Sequence, residues 1–193
     1  MKKFLVSAIF VMAIVACQNK QQGNTESATE DAYVPERGDY TFKTEVTVLE
    51  DVDEVIYDDI FVYLTDARGN TDTLVCEAMP LDTAYWSRSS IGELTEEDYN
   101  FDGIPDLQVC LGPMNGYGNV AYDVFIWDDN EHSFVYQNIP ELYDPYVDTE
   151  SKKIICSSRD GGEMEIITYE WKENKFVEVN RETENLDEMM NEE

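Results

Sequence analysis

Phe125-Ile126-Trp127-Asp128-Asp129-Asn130-Glu131-His132-Ser133-Phe134-Val135-Tyr136-Gln137 reads as strand, turn, strand. Aromatic and β-branched residues fill both arms, and polar residues fill the middle, with the reversal near Asp129-Asn130. Ile167 to Val179, ITYEWKENKFVEV, echoes this pattern. It has a Trp before a turn at Glu173-Asn174 and a Phe-Val pair after it. A third reversal is expected at Asp66-Ala67-Arg68-Gly69-Asn70. Outward from these hairpins the apolar period stays at two. Tyr40, Phe42, Val46 and Val48 share a face opposite Lys43, Glu45 and Thr47. Ile60, Val62 and Leu64 share another, as do Leu107, Val109 and Leu111, and Tyr122, Val124 and Ile126. No stretch of ten residues carries a convincing 3.6-residue period. The expectation is an all-β domain over 39–180. It would be a hairpin-rich sandwich, a distorted barrel or a small propeller-like domain, with one inserted calcium-type loop.

Charge limits the partners. The 193 residues hold 42 Asp and Glu against 13 Lys and Arg, a net charge of −29. A nucleic-acid binder needs clustered Lys and Arg for phosphate, and so does a polybasic membrane patch. Both classes are excluded. At 42% hydrophobic and 12% aromatic residues, the chain is too apolar to be a wholly disordered acidic polymer.

The first seventeen residues read as an address. Met1-Lys2-Lys3 is a basic head, and the apolar run from Phe4 to Ala16 is shorter than the roughly 20 residues a membrane-spanning helix needs. The run ends in Ile14-Val15-Ala16-Cys17, which resembles the lipobox of bacterial lipoproteins. The resemblance implies removal of 1–16 as a signal peptide and acylation of Cys17, with a membrane anchor through the N-terminal lipid. Loss of Lys2 and Lys3 takes the charge from −29 to −31. Gln18 follows the Cys in place of the Asp that favours inner-membrane retention, so the expected location is the outer membrane, facing the periplasm. Residues 17–38 then form a polar tether, and 181–193 an acidic tail.

Without Cys17, three cysteines remain, Cys76, Cys110 and Cys156. An odd number permits at most one disulfide, in three possible pairings, and buried thiols fit equally well. No pair is spaced as a zinc knuckle, and the sole His, His132, lies in a polar turn.

The sharpest local motif is Asp98-Tyr99-Asn100-Phe101-Asp102-Gly103-Ile104-Pro105-Asp106. Asp98, Asn100, Asp102 and Asp106 place hard oxygen donors at positions 1, 3, 5 and 9 of a tight loop, with Gly103 at the bend and the Ile104 carbonyl at position 7. That pattern suits Ca2+. It departs from a helix–loop–helix calcium hand, since position 12 is Val109 and the segment after the loop, LQVCL, is strand-like. The loop resembles the Asp-rich calcium loops set between strands in integrin-type β-repeat domains.

From Glu97 to Val179, the succession EDYNFDGIPDLQV, a Gly/Asn-rich loop, NVAYDVFIWDDNEHSFVYQN, KKIICSSRDGG and ITYEWKENKFVEV resembles a family of bacterial envelope lipoproteins. That family includes immunity proteins against lysozyme-like effectors of an antibacterial type IV secretion system. Its fold is similar to that of periplasmic inhibitors of invertebrate-type lysozyme. The resemblance implies a protein partner, a basic lysozyme-like peptidoglycan hydrolase, and an inhibitory role.

Within that stretch, Gly112-Pro113-Met114-Asn115-Gly116-Tyr117-Gly118-Asn119 has the composition of a protruding loop. Met114 and Tyr117 are its candidate partner-binding residues, since a loop Tyr makes a good interface anchor. Tyr85 and Trp86 read as packing residues. No nucleophile motif or Cys–His pairing is present, and 42 acids make some carboxylate pair inevitable, so the chain is not expected to be an enzyme. The alternatives are a scaffolding lipoprotein whose calcium site only holds the fold, and a glycan-directed hydrolase.

Overall fold

Segments that alternate polar with β-branched or aromatic residues bury one face and pair their backbones with the next such segment. A computed structural model of the chain describes residues 33–50, 55–79, 90–114 and 117–186. The signal segment, Cys17, the tether up to residue 32, Tyr85, Trp86 and the last seven residues lie outside the described residues. From Val34 onward the chain is one compact unit.

The strands are β1 (Thr41–Glu50), β2 (Val55–Thr65), β3 (Thr71–Glu77), β4 (Leu94–Glu97), β5 (Asp106–Pro113), β6 (Val120–Asp128), β7 (Ser133–Gln137), β8 (Tyr146–Asp148), β9 (Lys153–Asp160), β10 (Glu163–Lys172) and β11 (Lys175–Asn185). They form three antiparallel sheets in chain order, β1-β2-β3, β4-β5-β6-β7 and β8-β9-β10-β11. The all-β expectation holds. Among the described residues no sheet closes on itself, so the architecture agrees with a sandwich and not with a barrel.

Strand β6 serves two cores. Ala121, Phe125 and Trp127 pack with Ile60, Val62 and Leu64 of β2 and with Leu107 and Val109 of β5. Val124 and Ile126 point the other way, against Ile154 and Cys156 of β9 and Ile167 and Tyr169 of β10. Every residue of β5 is buried, as expected for a strand covered on both faces. Truncating a side chain such as Ile60 or Ile154, both 0% exposed, costs about 2–5 kcal/mol. The three cysteines sit on different sheets, in β3, β5 and β9, and all are buried free thiols. Burial pushes the Cys156 thiol up to about 12, so it is an inert apolar side chain near neutral pH.

All three expected reversals are present. Asp66 closes the β2–β3 turn, its Oδ1 accepting from Arg68 N at 2.9 Å and Asn70 N at 2.8 Å, and its Oδ2 from Asn70 Nδ2 at 2.8 Å. Asp128 Oδ1 accepts from Asn130 N at 2.8 Å and Glu131 N at 3.2 Å at the β6–β7 turn. Glu173 and Asn174 both have positive φ, 52° and 59°, the geometry of a two-residue hairpin turn matched to strand twist. The expected tail starts instead as strand, since β11 runs to Asn185 and pairs as far as Glu163. Arg181 holds this end, contacting Glu141 at 2.6 Å, Glu165 at 2.8 Å and Glu178 at 2.8 Å.

Candidate functional site

The Asp-rich loop joins β4 to β5, and its alternation sorts side chains by function. Tyr99 is 1% exposed and packs, with Phe101, against the second core. Asp98, Asn100 and Asp102 therefore fall on the opposite side. Phe101 has φ 62°, a conformation disfavoured for a bulky residue and held here by its ring's packing. Gly103, at φ 91°, makes the bend.

Loop amides draw the polar side chains together. Asp98 accepts from Asp102 N at 3.1 Å and Gly103 N at 2.9 Å. Asn100 Oδ1 accepts from Asp102 N at 3.0 Å, and its Nδ2 donates to Asp102 Oδ2 at 2.8 Å. Asp102 Oδ1 accepts from Ile104 N at 2.8 Å.

Asp106 is 0% exposed and lies beneath the loop, with each oxygen on a different main chain. Oδ2 accepts from Tyr99 N and Oδ1 from Trp127 N, both at 2.8 Å. One carboxylate thus fixes the start of the loop to the middle of β6. Burial pushes it up to about 6, against the two N–H donors, which favour its charged form. This clamp role was not legible in the motif. Among the described residues no three His, Cys, Asp or Glu side chains converge on one point. The donors offered by Asp98, Asn100 and Asp102 are nevertheless all hard oxygens, the chemistry that suits Ca2+.

The loop's exit is held from the N-terminal side. Arg37, in a short turn at Arg37–Asp39, donates through Nε to Pro105 O at 2.7 Å and through a terminal nitrogen to Glu96 at 2.8 Å. Its guanidinium lies 4.9 Å from the ring centroids of Phe42 and Phe134. Arg37 falls in the stretch expected to be tether, since a single polar residue outside any period carries no signal in sequence.

The second candidate element is the β5–β6 connection. Met114 is 39% and Tyr117 52% exposed. Tyr117 does not project alone, since the Arg159 guanidinium lies 5.8 Å from its ring centroid. The far side of the loop is pinned by Asn119, which is 5% exposed and bonded to the backbone of Arg159. Met114 N donates to Asn119 O at 2.8 Å, closing the base of the loop.

No family model matches the chain, and no curated protein is similar enough in sequence to count as a match. Among solved structures, the chain is similar to one described as a Xanthomonas type IV secretion system related protein. The two are 22% identical with a TM-score of 0.50, over 82% of this chain and 88% of that one. The likeness is one of fold.

Proposed function

We propose that the chain is an envelope lipoprotein whose β-domain binds and inhibits a lysozyme-like, peptidoglycan-cleaving enzyme. In this reading acylated Cys17 anchors it to the outer membrane facing the periplasm, and bound Ca2+ stiffens the Asp-rich loop. The observation that carries the proposal is the Tyr117 loop, an exposed aromatic on a backbone pinned at Asn119. An anchor held in place before binding loses little freedom on association. The family resemblance of 97–179 supports the choice of partner, and a fold neighbour described as related to a type IV secretion system is in keeping with a secretion-associated setting.

The role of Ca2+ would be structural. Asp98, Asn100, Asp102 and the Ile104 carbonyl would hold it, with Asp106 beneath them tying the loop to β6. The ion would supply positive charge to a loop otherwise crowded with carboxylates. Asp128, beside this loop, is held below the ordinary carboxylate range by the N–H groups of Asn130 and Glu131.

The test is muralytic activity of basic lysozyme-like enzymes, of invertebrate and secreted bacterial type, with the purified chain titrated in. Inhibition at micromolar protein is expected, with Tyr117→Ala weakening it by about 2 kcal/mol or more, mostly through faster dissociation. If no such enzyme is inhibited while Ca2+ still raises the melting temperature, the scaffolding reading replaces this one.

A further inference from the structure

A groove of about 390 Å3 opens between the Asp-rich loop, the β6–β7 turn and the β10–β11 turn. Its apolar lining includes Trp171 and Val135, and its polar lining includes Asp102, Asp128 and Asp129. No Lys, Arg or His is among the lining residues. Lys172 and Lys175 flank the β10–β11 turn outside the lining, and Lys172 is paired with Glu170 at 2.7 Å. The three carboxylates are oriented in advance. Asp102 accepts from Ile104 N, Asp128 from Asn130 N, and Asp129 Oδ1 from Trp127 Nε1 at 3.0 Å.

We infer that this groove is a receptor for a cationic side chain, arginine above all, presented by a basic protein partner. Charge complementarity selects the occupant. An anionic ligand such as a cell-wall polymer or a lipid phosphate would meet Asp128 and Asp129, two carboxylates that the proposed Ca2+ site does not use. A neutral sugar suits an aromatic wall, but seating it would strip water from those carboxylates without compensating their charge. A guanidinium satisfies both parts of the lining. It accepts a planar aromatic neighbour in Trp171, and its forked N–H groups match carboxylate oxygens. Lysine fits the charge but not the plane. The groove is lined by neither Met114 nor Tyr117, so the site goes beyond the proposed inhibitory loop and does not need the partner to be a peptidoglycan hydrolase.

The test uses the mature chain with hexa-arginine amide as probe, followed by tryptophan fluorescence at low salt, with and without chelator. Saturable quenching is expected in the wild type and its loss in Trp171→Phe. Asp128→Asn and Asp129→Asn each keep the turn acceptor and should weaken binding by roughly twofold to fivefold. A control pair on β3, Asp72→Asn with Glu77→Gln, removes exposed charge away from the groove and should change affinity less. Hexa-lysine should bind more weakly. Three results overturn the proposal. These are no quenching, equal weakening by control and groove variants, and an N-acetylglucosamine tetramer that quenches Trp171 where the arginine peptide does not. Muralytic inhibition that persists in the groove variants would leave the Tyr117 reading intact while the groove is tested on its own.

Discussion

Asn119 pairs with Arg159 as one strand residue pairs with another, but through its side chain. Its Oδ1 accepts from Arg159 N and its Nδ2 donates to Arg159 O, both at 2.8 Å. The amide imitates a backbone unit and joins the end of the exposed loop to β9, a strand of a different sheet. Forty residues of chain separate the two partners.

Removing that imitation should loosen the loop. Asn119→Ala removes both hydrogen bonds to the Arg159 backbone and should lower stability by about 1–3 kcal/mol. Thermal unfolding gives the magnitude. Hydrogen exchange in the 114–120 region should rise more than exchange in the β6 core, and equal change in both would show that Asn119 does not act locally.

Calcium should raise the melting temperature. An ion that binds only the folded state stabilises it by about 2.7 kcal/mol at 100 times its dissociation constant. Asp102→Ala should remove that response, and Mg2+ should substitute poorly because it demands a more rigid octahedron. A melting temperature indifferent to both Ca2+ and chelator contradicts the ion site.

Gly92 should not tolerate a side chain. Its φ is +77°, and a Cβ placed there would lie 2.8 Å from Val46 Cγ2 on a packed strand. Gly92→Ala is expected to cost about 1–3 kcal/mol, read from chemical denaturation, whereas Gly69→Ala meets nothing within 4 Å and should carry only the cost of its positive φ.

Acid should act through the turn carboxylates. Asp66 is held below its ordinary value, first by the Asn70 side chain and then by backbone N–H groups. A lowered folded pKa means stability that is present above the unfolded value of about 3.8 and lost as pH falls through the folded one. Asp106 has the opposite sign. Raised to about 6 by burial, it contributes stability that is present below its unfolded value and lost as pH rises through 6. In chelator, Asp66→Asn should therefore flatten the acid limb of melting temperature against pH and leave the limb near pH 6 in place. An unchanged acid limb would refute the role of Asp66.

Anchoring can be tested apart from the fold. Cys17→Ser should abolish fatty-acid labelling and signal processing in a bacterial host, and a wild-type chain that incorporates no acyl group would refute the lipobox reading.

Strand content and turn positions were determined locally. Alternation in Leu107-Val109-Leu111 and Tyr122-Val124-Ile126, and turn chemistry at Asp66, Asp128 and Glu173-Asn174, act between residues close in sequence, so the sequence alone announced them. The hydrogen bonds among Asp98, Asn100 and Asp102 are short-range in the same way. Asp106 shows where that stops. Its motif position said ligand, while the fold brings Trp127 N within 2.8 Å, 21 residues away, and gives it a buried clamp to hold. Arg37 reaches Pro105 across 68 residues, and Asn119 reaches Arg159 across 40. The groove draws one wall from each of three connections. None of these leaves a periodic trace, because a lone polar residue obeys no alternation. Tertiary structure decided them by stacking open sheets so that their connections meet.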